Sequence, residues 1–265
     1  MTTESSSSPL RVLVHGVSGR MGGEVLAAVR AAPDMEAVGG VDLRPSSSLA
    51  ADFPFYTGVG TAIEALAPDV MVDFSIADAS PGALKAAAGR GVHGVAGTTG
   101  IPAAELEAID TLAKEHGVGV VIAPNFAIGA VLLVQLAQQL GRFFEVAEVV
   151  EQHHDAKIDA PSGTALAIAR ALVEGRGEPF ARQMPDREPA PGSRGAELDG
   201  VSIHAQRMPG RLAHHEIVLG TQGQTLSLRH DTIGRDCYMP GVLTAIRQVV
   251  QYKGLVVGLE KLLNL

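Results

Sequence analysis

The sequence predicts a two-domain α/β chain: a parallel sheet wound with helices, followed by an α+β domain with an open mixed sheet. Three observations predict it. Short apolar runs alternate with helix-spaced segments from Arg11 to Ala123, a glycine-rich turn joins the first run to the first helix, and strands separated by turns dominate after Phe143. The length of 265 residues also exceeds a typical single domain.

In the first half, Arg11 to His15 reads as a buried strand, and Met21, Val25, Ala28 and Val29 carry helical spacing that Pro33 and Asp34 end. Further strands are expected at Ala37 to Val41, Val70 to Phe74, Val92 to Ala96 and Val118 to Ala123, with helices near Ser80 to Ala88 and Ala103 to Glu115. Alternation of this kind implies right-handed crossovers and a parallel sheet.

The joining turn, Gly16, Val17, Ser18, Gly19, Arg20, Met21 and Gly22, would aim backbone amides and the positive end of a helix at a pyrophosphate. Its GxxGxxG spacing departs from the usual GxGxxG, so position after a strand carries the reading of a Rossmann-like dinucleotide site. Asp42 follows about 20 residues after Gly22, where a carboxylate would accept adenosine ribose hydroxyls, as NADH requires. Arg20 and Arg44 would also offer cations to a 2′-phosphate, so the cofactor is NADH or NADPH. Two loops at strand ends, Gly97, Thr98, Thr99 and Gly100, then Ala123, Pro124, Asn125 and Phe126, are candidates to hold a nicotinamide.

In the second half, Glu145 to Glu151 reads as a strand running into Gln152, His153, His154, Asp155, Ala156 and Lys157, and Pro161 opens a helix with Leu166, Ala169, Leu172 and Val173 on its apolar face. The amides of Gly163 and Thr164, with Lys157 nearby, suit the carboxylates of a small diacid. Adjacent strand residues point to opposite faces, so His153 and His154 divide the work, one of them as a proton donor. Glu174 to Glu197 shows no periodicity, and Val201 to Gln206, Ala213 to Leu219 and Thr225 to His230 read as three strands with turns at Pro209–Gly210 and Gln222–Gly223. A last helix is expected from about Met239 to Tyr252.

Other classes fit less well. A net charge of −8 disfavours nucleic acid, and no apolar run reaches the ~20 residues of a membrane helix. The Ser-rich start reads as a mobile tail without the features of a secretory signal, which with the lone Cys237, read as a half-buried packing thiol, suggests the cytoplasm. Neither His153, His154 and Asp155 nor His214, His215 and Glu216 has the spacing of a metal site, so none is expected.

Taken together, VHGVSGRMGG, AGTTG, APNF, HHDAKIDAPSGTAL and PGVLTAIRQVV resemble the 4-hydroxy-tetrahydrodipicolinate (dihydrodipicolinate) reductase family, especially its actinobacterial members, across nearly the whole chain. HHxxKxDxPSGTA is the specific part. The resemblance implies reduction of 4-hydroxy-tetrahydrodipicolinate in diaminopimelate and lysine biosynthesis. It implies catalytic roles for His153 and Lys157, substrate contacts from His154, Gly163 and Thr164, and cofactor contacts from Gly16 to Met21, Asp42, Gly97 to Thr99 and Ala123 to Phe126. It also implies a dinucleotide-binding domain of residues 1–127 and 237–265, a substrate-binding and oligomerisation domain of residues 128–236, and a homotetramer. Leu43 stands where some relatives carry an arginine after the acidic ribose ligand. The rival readings are another Rossmann-type amino-acid or semialdehyde dehydrogenase and a non-catalytic NADH-sensing regulator.

Overall fold

The computed structural model describes residues 8–47 and 49–265, so the Ser-rich start lies outside the described residues apart from its end. The chain divides into two compact units, Met1–Phe126 with Tyr238–Asn264, and Ala127–Cys237 with Leu265.

The first unit is built on β1 (Leu10–His15), α1 (Arg20–Ala31), β2 (Met35–Val41), β3 (Phe55–Tyr56), α2 (Val59–Leu66), β4 (Val70–Asp73), α3 (Ser80–Ala88), β5 (His93–Ala96), α4 (Ala103–Glu115) and β6 (Gly119–Ile122). Its sheet runs β3-β2-β1-β4-β5-β6 and is completed by a strand from the far end of the chain, with every pairing parallel. Central strands β4 and β6 are buried along their whole length, as expected where helices cover both faces of a parallel sheet. Leu13, Met71, Leu84, Ile109 and Val120 make its core. The β1-to-β4 neighbourship leaves a switch point at which the loops after β1 and β4 diverge, the place where open α/β sheets bind ligands.

The second unit begins with α5 (Ile128–Leu140), a helix absent from the sequence reading, and continues through β7 (Val146–His153), α6 (Gly163–Arg176), β8 (Ala196–Leu198), β9 (Val201–Arg207), β10 (Ala213–Thr221) and β11 (Gln224–Thr232). Its five strands run β11-β10-β7-β9-β8, antiparallel except for the parallel β7–β9 pair, so the sheet is mixed. Along β7 burial alternates strictly: Ala147, Val149, Glu151 and His153 are buried. The hydrophobic members pack with Ile168 and Leu172 of α6 and with Ile217 and Leu219 of β10. Two polar residues therefore occupy the last two positions of a buried stripe.

Chain termination explains several differences from the sequence reading. β7 extends to His153 rather than stopping at Glu151, and α6 carries Glu174 to Arg176 before Gly177 adopts the left-handed conformation that ends it. The final helix, α7 (Met239–Val249), stops three residues short of Tyr252, and β12 (Gly254–Val257) then joins the first sheet beside β6. Arg247 of α7 makes a two-pronged ion pair with Asp34, at 2.7 and 2.9 Å. Among the described residues no helix is long and apolar enough to cross a membrane.

Candidate active site

At the head of the first sheet, the glycine turn after β1 is closed by sterics. Gly16 has φ +78°, and a Cβ there would lie 2.8 Å from the Phe74 carbonyl oxygen; a Cβ on Gly22 would strike the Gly16 carbonyl. Only glycines let β1 hand over to α1 this tightly. The turn places the amides of Arg20 and Met21 at the start of α1, with Gly19 as a cap that supplies no side chain. Neither amide has an acceptor among the described residues, which fits a cradle for phosphate oxygens. Val17 is buried and packs over Gly40, while Ser18 and Asp42 lock together: the Ser18 amide donates to one Asp42 oxygen at 3.0 Å, and the Leu43 amide to the other at 2.7 Å. Each oxygen of an ionised carboxylate can accept more than one hydrogen bond, so Asp42 keeps capacity for ribose hydroxyls. Arg20, Leu43 and Arg44 are exposed.

The loops after β5 and β6 contribute mainly backbone. Thr98 is buried and its hydroxyl donates to Asp73 at 3.1 Å, Thr99 is exposed, and a Cβ on Gly97 would collide with the Phe74 ring. Ala123 and Phe126 are buried, Phe126 tilting against Phe74 with ring centroids 5.7 Å apart; Pro124 is exposed and Asn125 half-buried. Sequence reasoning missed the post that supports these loops. Asp73 ends β4 with no solvent exposure, one oxygen receiving the Ser80 and Thr98 hydroxyls and the other the His15 Nδ1 at 2.8 Å and the Ser75 amide at 3.2 Å. Burial pushes this carboxyl up, but the bonds from His15, Ser75 and Ser80 outweigh it and hold the group below its usual value.

The second unit gathers the remaining residues at one end of β7. Glu151, fully buried, accepts from His153 Nδ1 at 2.5 Å, from both terminal nitrogens of Arg207 at 2.8 Å each, and from the Ser162 amide at 3.0 Å. Burial raises its carboxyl; the His153, Arg207 and Ser162 bonds reverse that and bring it down to about 2. His215 of β10 lies edge-on to His153 at 5.2 Å between centroids, and its Nε2 is 3.1 Å from the Ser162 hydroxyl. Ser162 also caps α6, its Oγ accepting the Ala165 amide at 3.2 Å. Ahead of that cap, the Gly163 and Thr164 amides have no acceptor among the described residues, and the space beside the Gly163 Cα is open. Lys157 is half-buried, paired with Asp159 at 2.6 Å. His154 lies just beyond the strand, half-buried, so it leaves the buried stripe that His153 ends. Glu151, Ser162 and Arg207 carry no role in the sequence, and His215 enters there only as a rejected metal ligand; a carboxylate on the same strand face as a catalytic histidine, two positions before it, is the available signal for Glu151.

Burial is the main influence on His215 and, with help from His153, takes its imidazole down to about 4. Between about pH 6.5 and pH 4 the unfolded chain therefore binds a proton that the folded chain refuses, and stability falls as pH drops through that window, by up to about 3 kcal/mol. Glu151 extends the loss from about pH 4.5 toward pH 2, because its folded carboxyl resists protonation. Denaturant midpoints measured across this range should decline, and His215→Gln should flatten the upper part; an equally steep decline in that variant would contradict the assignment.

Among the described residues no group of three or more histidine, cysteine, aspartate or glutamate side chains gathers to hold a metal. Cys237 is half-buried, 3.9 Å from the Thr232 hydroxyl, and burial raises its thiol above the usual value, the opposite of an activated nucleophile.

The dihydrodipicolinate reductase N-terminus family model matches residues 10–126, and the C-terminus model matches residues 129–263. The chain belongs to the dihydrodipicolinate reductase family. A 4-hydroxy-tetrahydrodipicolinate reductase from Dehalococcoides mccartyi is 46% identical over 97% of this chain and 100% of its own length. One from Nocardia farcinica is 44% identical over 97% and 99%. Among solved structures, the dipicolinate-bound dihydrodipicolinate reductase of a Paenisporosarcina species superposes with a TM-score of 0.88 at 35% identity, covering 96% of this chain and 99% of that one. An amine dehydrogenase from Mycobacterium smegmatis, with a TM-score of 0.63 at 14% identity over 96% of both chains, shares the fold alone. Family membership brings a nicotinamide cofactor to the Rossmann-like unit, and the Gly16–Gly22 turn, which side chains would fill, fits that group.

Proposed function

We propose that this chain reduces 4-hydroxy-tetrahydrodipicolinate to tetrahydrodipicolinate in diaminopimelate and lysine biosynthesis. The observation that carries the reading is a buried histidine anchored by a carboxylate, in the same unit as a lysine in the HHxxK motif and a helix start with two amides that lack acceptors among the described residues. The dipicolinate in the solved relative is a ring diacid, and such a ligand supports a small dicarboxylate substrate here.

A bound nicotinamide supplies the hydride. His153 hands a proton to the substrate and Lys157 serves as the second donor, countering negative charge as it develops. The Gly163 and Thr164 amides and His154 hold the carboxylates. Because Asp159 is exposed and an ion pair open to solvent on one side is worth only ~1 kcal/mol, a substrate carboxylate can replace Asp159 on half-buried Lys157 at little cost. The Met1–Phe126 and Tyr238–Asn264 unit is the dinucleotide-binding domain, and Ala127–Cys237 is the substrate-binding and oligomerisation domain. The mostly exposed edge strand β11 supports assembly into a homotetramer, which sedimentation would test. The setting is the cytoplasm.

Loss of the nicotinamide absorbance band, on mixing the protein and NADH with the product of the preceding pathway synthase, is the direct test. Binding of NADH without turnover would instead identify a sensor. Asp42 favours NADH, whereas exposed Arg20 and Arg44 can meet a 2′-phosphate, so both cofactors should work. NADPH turnover thousands of times below NADH turnover under matched conditions would remove the second.

A further inference from the structure

The Glu151 side chain joins three segments: the end of β7 through His153, the end of β9 through Arg207, and the start of α6 through the Ser162 amide. Arg207 in turn donates to the Asp159 carbonyl at 2.5 Å, which ties down the loop that carries Lys157. The charged and titratable side chains around the carboxylate are His153 on its own strand, Arg207 on β9 and His215 on β10.

An ionised carboxylate can only accept hydrogen bonds, so the 2.5 Å contact requires the proton to sit on His153 Nδ1. Nε2, on the far edge of the ring, is then the nitrogen that exchanges a proton. We propose that Glu151 is the positioning residue of this site: it fixes the tautomer and direction of the His153 ring and holds it in register with the head of α6. In the transfer step the Nε2–H bond breaks and that proton joins the substrate as the hydride electron pair adds. The imidazolium becomes neutral imidazole with Nδ1–H still donated to Glu151, and solvent restores the Nε2 proton. Arg207 keeps the carboxylate charged and oriented through its two-pronged contact. The assignment rests on the reductase reading for its kinetic consequence, while the tautomer itself does not.

Histidine ring-nitrogen NMR on the intact protein, with the His153 signals assigned by loss in His153→Asn, should show the neutral ring protonated at Nδ1. A ring protonated mainly at Nε2 overturns the proposal, whatever the activity. Glu151→Gln should lower kcat by about 10- to 100-fold, with the KM for NADH unchanged and the neutral His153 ring no longer held as the Nδ1–H tautomer. The double variant Glu151→Gln/Arg207→Gln, which leaves no charge buried alone, should show the same loss of kcat. A parent-like kcat and tautomer in either folded variant refutes the positioning role; if neither folds, the parent spectrum decides. Absence of turnover in the parent would sink the reductase reading and leave the tautomer measurement standing.

Discussion

His153→Ala and Lys157→Ala should each lower kcat by about 100- to 1,000-fold while the dissociation constant for NADH stays near the parent value. His153 is buried and held by one carboxylate, so its removal deletes the proton donor. Some local stability goes with it, since Glu151 still keeps Arg207 and the Ser162 amide. Lys157 has a weaker anchor, a contact with half-exposed Asp159, and its ammonium is accordingly free to turn toward a substrate anion. The effects should fall on kcat because both residues belong to the Ala127–Cys237 unit, whereas the glycine turn and Asp42 belong to the other. Single-turnover oxidation of NADH and a separate NADH titration would check both halves. An equal loss of NADH affinity in the two variants would move these residues out of the proton-transfer role.

Replacement of Asp73 by alanine should destabilise the protein by about 3–5 kcal/mol, lowering Tm on the order of 10 °C, and should weaken NADH binding as well. Its side chain is fully buried and receives four donors, so truncation leaves the Ser80 and Thr98 hydroxyls, the Ser75 amide and the His15 ring without their acceptor. Those donors belong to β1, the loop after β4, the start of α3 and the loop after β5, which together shape the head of the sheet. Asp73→Asn keeps the volume and part of the hydrogen bonding and should lose less. A melting temperature within a degree of the parent for Asp73→Ala would show that the network is dispensable.

Much of the architecture was legible in the sequence because its elements carry strong local patterns. The strands β1, β4, β5 and β6 each carry a short apolar run, such as Val12–Val14 and Val70–Val72, of the kind a doubly covered parallel sheet requires, and the glycine turn follows the first strand directly. Helix α5 is not legible in the sequence because IGAVLLVQLAQQL begins with a nearly continuous apolar stretch, offers no side-chain cap, and so lacks the one-sided periodicity that marks a helix. Strands β3, β8 and β12 are two to four residues long, too short to show a period. The ending of β7 was misplaced for a related reason: Gln152 and His153 break the apolar pattern although the backbone continues.

The sequence by itself determined the α/β class, the order of the major elements, and the residue types of the glycine turn and the HHDAKIDAPSGT segment, because propensity and spacing act between near neighbours. Only the tertiary structure decided that β12 returns to pair with β6, and that the parallel register of β7 with β9 sets Arg207 opposite His153. The same folding brings Arg207 and Ser162 onto Glu151 and sets His15, Ser80 and Thr98 around Asp73. A buried carboxylate must find its donors wherever the chain can bring them, and those partners come from as many as 58 residues away along the chain, beyond the reach of any local pattern.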